Sequence, residues 1–168
     1  MTLRLILTRH AKSSWDDPRL QDHERPLNAR GRRSAELLGH WLASRGDLPD
    51  EVLCSDSRRT IETWERIGPH LDGRASLRQL PELYLAGPDA MLSALRRARG
   101  RVVMMLGHNP GIAEFARLIL ARAPAHPDFG RYPTGGTLVA TFEGDAWGDV
   151  GFGQGSAVDF VTPRALEA

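Results

Sequence analysis

Five consecutive apolar residues, Val102-Val103-Met104-Met105-Leu106, constrain what this chain can fold into more than any other segment. The run has strand length, far too short to cross a membrane, and no polar face, so both of its sides must be covered. That demands a central strand of a parallel sheet with helices above and below. Residues 3 to 8 form a second β-prone run and Glu51 to Ser55 a shorter one, and two more strands are expected around Thr137 to Phe142 and Ala157 to Val161. Between the strands, apolar residues recur at helical spacing: Ala35, Leu38, Trp41 and Leu42; Ile61, Trp64 and Ile67; Met91, Leu95 and Ala98; then Ile112, Phe115, Ala116 and Ile119. The alternation predicts an α/β fold, a three-layer sandwich with a mainly parallel sheet flanked by helices.

At 168 residues the chain has the length of one ordinary domain, and no repeat or linker divides it, so residues 1–168 are read as a single domain. Its formal net charge of +1 carries no global excess that would favour nucleic acid or an anionic membrane surface. Cys54 is the only cysteine, which excludes an internal disulfide and a Cys-rich zinc site and suits a reducing cytoplasm. Arg9-His10 interrupts the first apolar run too early for a signal peptide, so a cytoplasmic location is expected. The histidines at 10, 23, 40, 70, 108 and 126 form neither a His-Glu-x-x-His helix nor a close pair, so no metal ligand is assigned. The Gly151–Gly155 segment lacks the Gly-Lys-Ser/Thr of a P-loop and is read as part of a turn.

The unusual polar residues fall where strands should end. Thr8-Arg9-His10 follows the first strand, Ser55 closes the second, and Gly107-His108-Asn109-Pro110-Gly111 follows the buried run. Ligands of open α/β sheets bind at the carboxyl ends of the strands, so these segments are expected to meet in one cleft. Singly, each has a plain structural reading: a histidine can cap a strand, an arginine can face solvent, and Asn109-Pro110 can start a helix with Asn at the N-cap and Pro at the first helical position. Such a helix start would also aim amide donors at the cleft and favour an anion there.

Leu7-Thr8-Arg9-His10-Ala11-Lys12, Ser55-Asp56-Ser57-Arg58-Arg59-Thr60-Ile61-Glu62-Thr63 and Gly107-His108-Asn109-Pro110-Gly111 together resemble the three signatures of the histidine phosphatase superfamily. The short chain, the Asp22-His23-Glu24-Arg25-Pro26-Leu27 loop and Pro81-Glu82-Leu83 are similar to its small SixA-type phosphohistidine phosphatases. The resemblance implies a phosphoglycerate-mutase-like fold. It also implies metal-independent hydrolysis without a cofactor, His10 as the nucleophile that becomes phosphorylated, Arg9, Arg59 and His108 around the phosphoryl oxygens, Asn109 as a further phosphate ligand, and a phosphohistidine-bearing protein as substrate. Chemistry agrees with these roles. Guanidinium groups beside His10 disfavour its protonated form and leave a lone pair for phosphorus, while Arg9 and Arg59 can grip oxygens in charge-assisted pairs. Of the adjacent arginines, Arg59 has the implied spacing of four from both Ser55 and Thr63, and Arg58, rotated by about 100° on a helix, is expected at the rim.

Glu82 stands where ester-cleaving members often carry a proton donor, and a surface carboxylate is the competing reading. Ala11-Lys12 departs from the family's common glycine after the histidine, which leaves Lys12 either at the cleft mouth or in solvent. Two alternatives to a phosphohistidine phosphatase remain open. One is a small-molecule phosphatase using the same nucleophile with Glu82 as its acid, for which the partner is a small phosphorylated substrate. The other is a non-catalytic phosphate-binding module. The loops Ser13 to Asn28 and Ala123 to Thr134 are expected to frame the cleft.

Overall fold

The computed structural model describes residues 1–167. Six strands form one sheet: β1 (Thr2–Arg9), β2 (Glu51–Ser55), β3 (Ser76–Leu80), β4 (Val102–Gly107), β5 (Thr137–Glu143) and β6 (Ser156–Val161), in the order β3-β2-β4-β1-β5-β6. The pairs β2·β3, β2·β4 and β1·β4 are parallel, whereas β5 runs antiparallel to both β1 and β6. The helices are α1 (Ala29–Arg45), α2 (Arg58–Ile67), α3 (Pro88–Arg96), α4 (Gly111–Ile119) and the short α5 (Pro163–Leu166).

Alternation along the central strands divides the core into two layers. Leu5, Leu7, Leu53, Val103 and Met105 pack with Met91 and Leu95 of α3 and Ile112, Phe115 and Ile119 of α4. Ile6, Val52, Cys54, Met104 and Leu106 pack on the other face with Ala35, Leu38 and Leu42 of α1 and Ile67 of α2. Cys54 is buried there, and burial pushes its thiol up to about 12, so it packs as an inert small hydrophobe. No helix among the described residues is long and apolar enough to cross a membrane.

The expected α/β sandwich is thus present, with three local corrections. Strand β3 escapes the sequence reading because Ser76–Gln79 are exposed on this edge and carry no apolar alternation. On α2, Ile61 and Trp64 are only half-buried, and the inward face is Arg59, Thr60, Glu62, Thr63 and Ile67. The segment between β5 and β6 is more than a turn, since Trp147 is buried against Phe142 and its indole N–H donates to the Gly100 carbonyl at 2.6 Å.

Candidate active site

Strand register brings the three polar segments together. Arg9 lies opposite Gly107, and Cys54 opposite Leu106, so His10, Ser55 and His108 emerge side by side at the carboxyl edge of β1, β2 and β4. Helix α1 approaches the same edge. Asn28 caps it by accepting from Gly31 N at 2.8 Å, and a methyl group on Gly31 would lie 2.0 Å from the Lys12 carbonyl oxygen. Only glycine permits that approach.

His10 is 6% exposed. Its Nδ1 lies 2.7 Å from the Ala11 carbonyl oxygen, which can only accept, so Nδ1 carries the proton and Nε2 keeps its lone pair. Burial is the main reason its pKa is held down at about 3, opposed by the Ala11 carbonyl and reinforced by His108, Arg59 and Arg9. The nucleophile-like state expected from the neighbouring guanidiniums is therefore owed first to desolvation.

Arg59 is 3% exposed and its Nε donates to His10 Nε2 at 3.4 Å. The other two nitrogens donate to Asp22, Nη1 to the backbone carbonyl at 2.7 Å and Nη2 to Oδ2 at 3.0 Å. Arg58 instead points outward and pairs with Glu65 at 2.9 Å, as its helical phase requires. Thr63, one turn beyond Arg59, accepts from Ala11 N at 3.0 Å and donates to the Arg59 carbonyl at 2.7 Å, which ties α2 to the backbone beside His10.

His108 is buried with its ring centroid 5.3 Å from that of His10. Its pKa is also held down at about 3, chiefly by burial and then by Arg59. Ser55 Oγ lies 2.8 Å from His108 Nε2 and accepts from Ser57 N at 3.4 Å, so the Ser55 hydroxyl is free to donate to Nε2 and leave the ring proton on Nδ1. Among the described residues, that Nδ1, Arg9 Nε and both Nε and Nη1 of Arg25 are buried without a hydrogen-bond partner. The unsatisfied nitrogens of Arg9 and His108, two residues whose charges bear on His10, call for an acceptor.

Arg9 reaches the Tyr132 carbonyl through Nη1 at 3.1 Å, so the 123–134 loop does frame the site. The 13–28 loop frames the other side. It is closed by a bridge between Ser13 and Leu27, and buried Glu62 of α2 accepts from Leu27 N at 2.9 Å. Lys12 is exposed and borders a groove with Arg30, Arg131 and Arg164.

Asn109 differs from expectation, and Glu82 takes the surface alternative. Asn109 does not offer its amide to the cleft: Nδ2 donates to the Arg131 and Tyr132 carbonyls at 2.8 and 3.2 Å, while Oδ1 accepts from Ala113 N at 3.3 Å. It braces a loop against α4, which starts at Gly111, with Pro110 rather than Asn109 at the N-cap position. Glu82 is exposed and its carboxylate pairs with Arg97 at 3.1 Å. Sequence reasoning missed two others. Asp22 accepts from Arg59 and from the Tyr84 hydroxyl and lies 3.3 Å from Arg25 Nε, and the Tyr84 ring packs edge-on against His108. Burial works against the charge on Asp22, but the bonds from Tyr84 and Arg59 and the two guanidiniums outweigh it and hold the carboxyl below its usual range. The signal available in sequence is the Asp22–Leu27 loop itself, which carries two acidic residues, Asp22 and Glu24, with nothing in the pattern to single out the first.

Residues 5–84 match the sequence profile of the histidine phosphatase superfamily, branch 1. The chain belongs to the histidine phosphatase superfamily. A Mycobacterium tuberculosis protein of uncharacterized function is 35% identical over 164 residues, covering 93% of this chain and 99% of that one. An uncharacterized chloroplastic protein of Arabidopsis thaliana is 37% identical over 127 residues, and the match spans only 58% of its length. Phosphohistidine phosphatase SixA of Escherichia coli is 29% identical over 112 residues, 64% of this chain and 68% of that one. Among solved structures, one described as SixA of Nakamurella multipartitia superposes with a TM-score of 0.80 at 27% identity over 97% of both chains. The phosphoglycerate-mutase-like architecture of this superfamily is the one the sequence implies.

Proposed function

We propose that this protein hydrolyses phosphohistidine on other proteins through a covalent phosphoryl intermediate on His10. The observation that carries the reading is the fixed tautomer of His10, whose Nδ1 is occupied by the Ala11 carbonyl while Nε2 faces Arg59. In the first step the Nε2 lone pair bonds to phosphorus as the P–N bond of the substrate breaks, and the departing imidazole takes a proton from solvent. In the second, water attacks the phosphorus on His10, the new P–N bond breaks, and orthophosphate leaves. Arg9, Arg59 and the Nδ1–H of His108 hold the equatorial oxygens, where charge must be stabilised in the transition state.

The carboxylates support this choice of substrate class. Asp22 is kept ionised by its partners and is not poised to protonate an alkoxide, and Glu82 is engaged in an exposed pair with Arg97. A labile P–N bond places less demand on such an acid than a phosphate ester does. The similarity to SixA proteins supports the same choice. Paired turnover rates on a phosphohistidine protein and a panel of phosphate esters, with EDTA present and His10→Ala as the blank, test it. The phosphoprotein should dominate. Faster ester turnover that disappears in Glu82→Ala would instead make this a small-molecule phosphatase.

A further inference from the structure

Away from the cleft, Glu36 and His40 of α1 and His70, in the 3-10 turn Gly68–His70 that follows α2, bring one ligand atom each within 4.8 Å of one another. The first two are four residues apart and share a helical face; the third arrives from the far end of α2, separated from Arg59 by about 12 Å of helix. The His40 and His70 rings lie 4.0 Å apart, and His70 Nε2 bonds to Glu36 Oε2. Gly39 makes the arrangement possible. A methyl group there would stand 2.6 Å from His70 Cδ2, so the imidazole rests on α1 at a position without a side chain.

We propose that Glu36, His40 and His70 form a site for a divalent metal of the zinc class, which clips α1 to the corner after α2. Two imidazoles and one carboxylate are a donor set for zinc, whereas calcium and magnesium prefer oxygens alone. Three protein ligands leave the fourth tetrahedral position to water. On binding, the metal takes the place of the proton shared by His70 and Glu36, and exposed His40 closes the set by side-chain rotation alone. The nearest opposing cation is Arg66, whose Nη1 lies 3.8 Å from the other carboxylate oxygen, Glu36 Oε1, so Oε2 remains available. None of these residues belongs to the network around His10, so the metal acts on stability and leaves the chemistry untouched. A plain surface Glu–His ion pair, the competing reading, gains nothing from a second imidazole packed beside it.

Calorimetric titration of chelator-stripped protein with zinc chloride tests the site, repeated in the His10→Ala background so that the paired cleft histidines, His10 and His108, cannot together host the metal. One zinc per chain is expected, with Tm rising by about 8 °C at a hundredfold excess over Kd. His40→Ala, an exposed position that should fold normally, loses both the binding and the Tm gain. Gly39→Ala weakens binding at least tenfold although all three ligands remain. Wild-type zinc affinity in His40→Ala, or no saturable binding below about 1 mM, overturns the proposal.

Discussion

His10 shows how much one side chain owes to its surroundings. An exposed imidazole would be half charged near pH 6.5, whereas burial keeps this one neutral down to about pH 3. His10→Ala should therefore abolish turnover with the fold intact, and no covalent phosphate should be trapped by acid quench; residual activity near the wild-type rate would end the nucleophile assignment. The two adjacent arginines give a sharper contrast. Arg59→Ala, which removes the guanidinium against His10, should lower kcat/KM by roughly a thousandfold or more, while Arg58→Ala breaks only an exposed pair worth about 0.2–1 kcal/mol and should leave the rate nearly unchanged. Glu82→Gln should likewise leave phosphohistidine turnover unaltered, and a large loss would return the proton-donor role to it. At this scale the sequence exposed the residues that sit on motifs and concealed those that arrive by folding. Arg59 could be chosen over Arg58 from the spacing that the family resemblance implies, but its partner Asp22 lies 37 residues away and Tyr84 reaches Asp22 across 62, separations that no periodicity records.

At the scale of elements, the site depends on how closely α1 and α2 approach the end of β1. Gly31 is the tightest point. Because its absent side chain is replaced by the Lys12 carbonyl, Gly31→Ala must push the first turn of α1 away from the backbone two residues beyond His10. The outcome expected is a lower Tm together with a loss of kcat, since Lys12 adjoins Ala11, whose carbonyl sets the His10 tautomer and whose N–H is tied to Thr63. Circular dichroism melts beside kcat separate the two effects, and a Gly31→Ala variant melting at or above the wild-type temperature would show that α1 yields without strain. Thr63 is the corresponding tie from α2; Thr63→Val keeps its shape but leaves Ala11 N without an acceptor, a loss of about 1–3 kcal/mol. The apolar strands and the α1, α3 and α4 faces were legible because burial imposes their periods. The inward face of α2 was not, since it is polar for the sake of the site, and an apolar pattern search selects the half-buried Ile61 and Trp64 instead of Thr60 and Thr63.

For the whole molecule, the buried polar edge of the sheet makes stability depend on pH with a definite sign. His10 and His108 both have folded pKa values near 3, against about 6.5 for an unfolded histidine. Between those limits the unfolded chain binds up to two more protons than the folded one, so stability rises with pH and falls as the solution is acidified through 6.5 toward 3. Each missing proton contributes about 1.4 kcal/mol per pH unit, giving a slope of up to about 2.7 kcal/mol per unit for the pair. The lowered carboxyls of Asp22 and Glu51 act in the same direction, but only as pH falls through and below the unfolded carboxyl range near 4. Urea unfolding measured between about pH 5 and 6 thus isolates the histidines, and His108→Asn should remove roughly half of their slope. Equal stability across that window in wild type and variant would mean that both rings are protonated in the folded protein, and a protonated His10 has no lone pair with which to attack phosphorus.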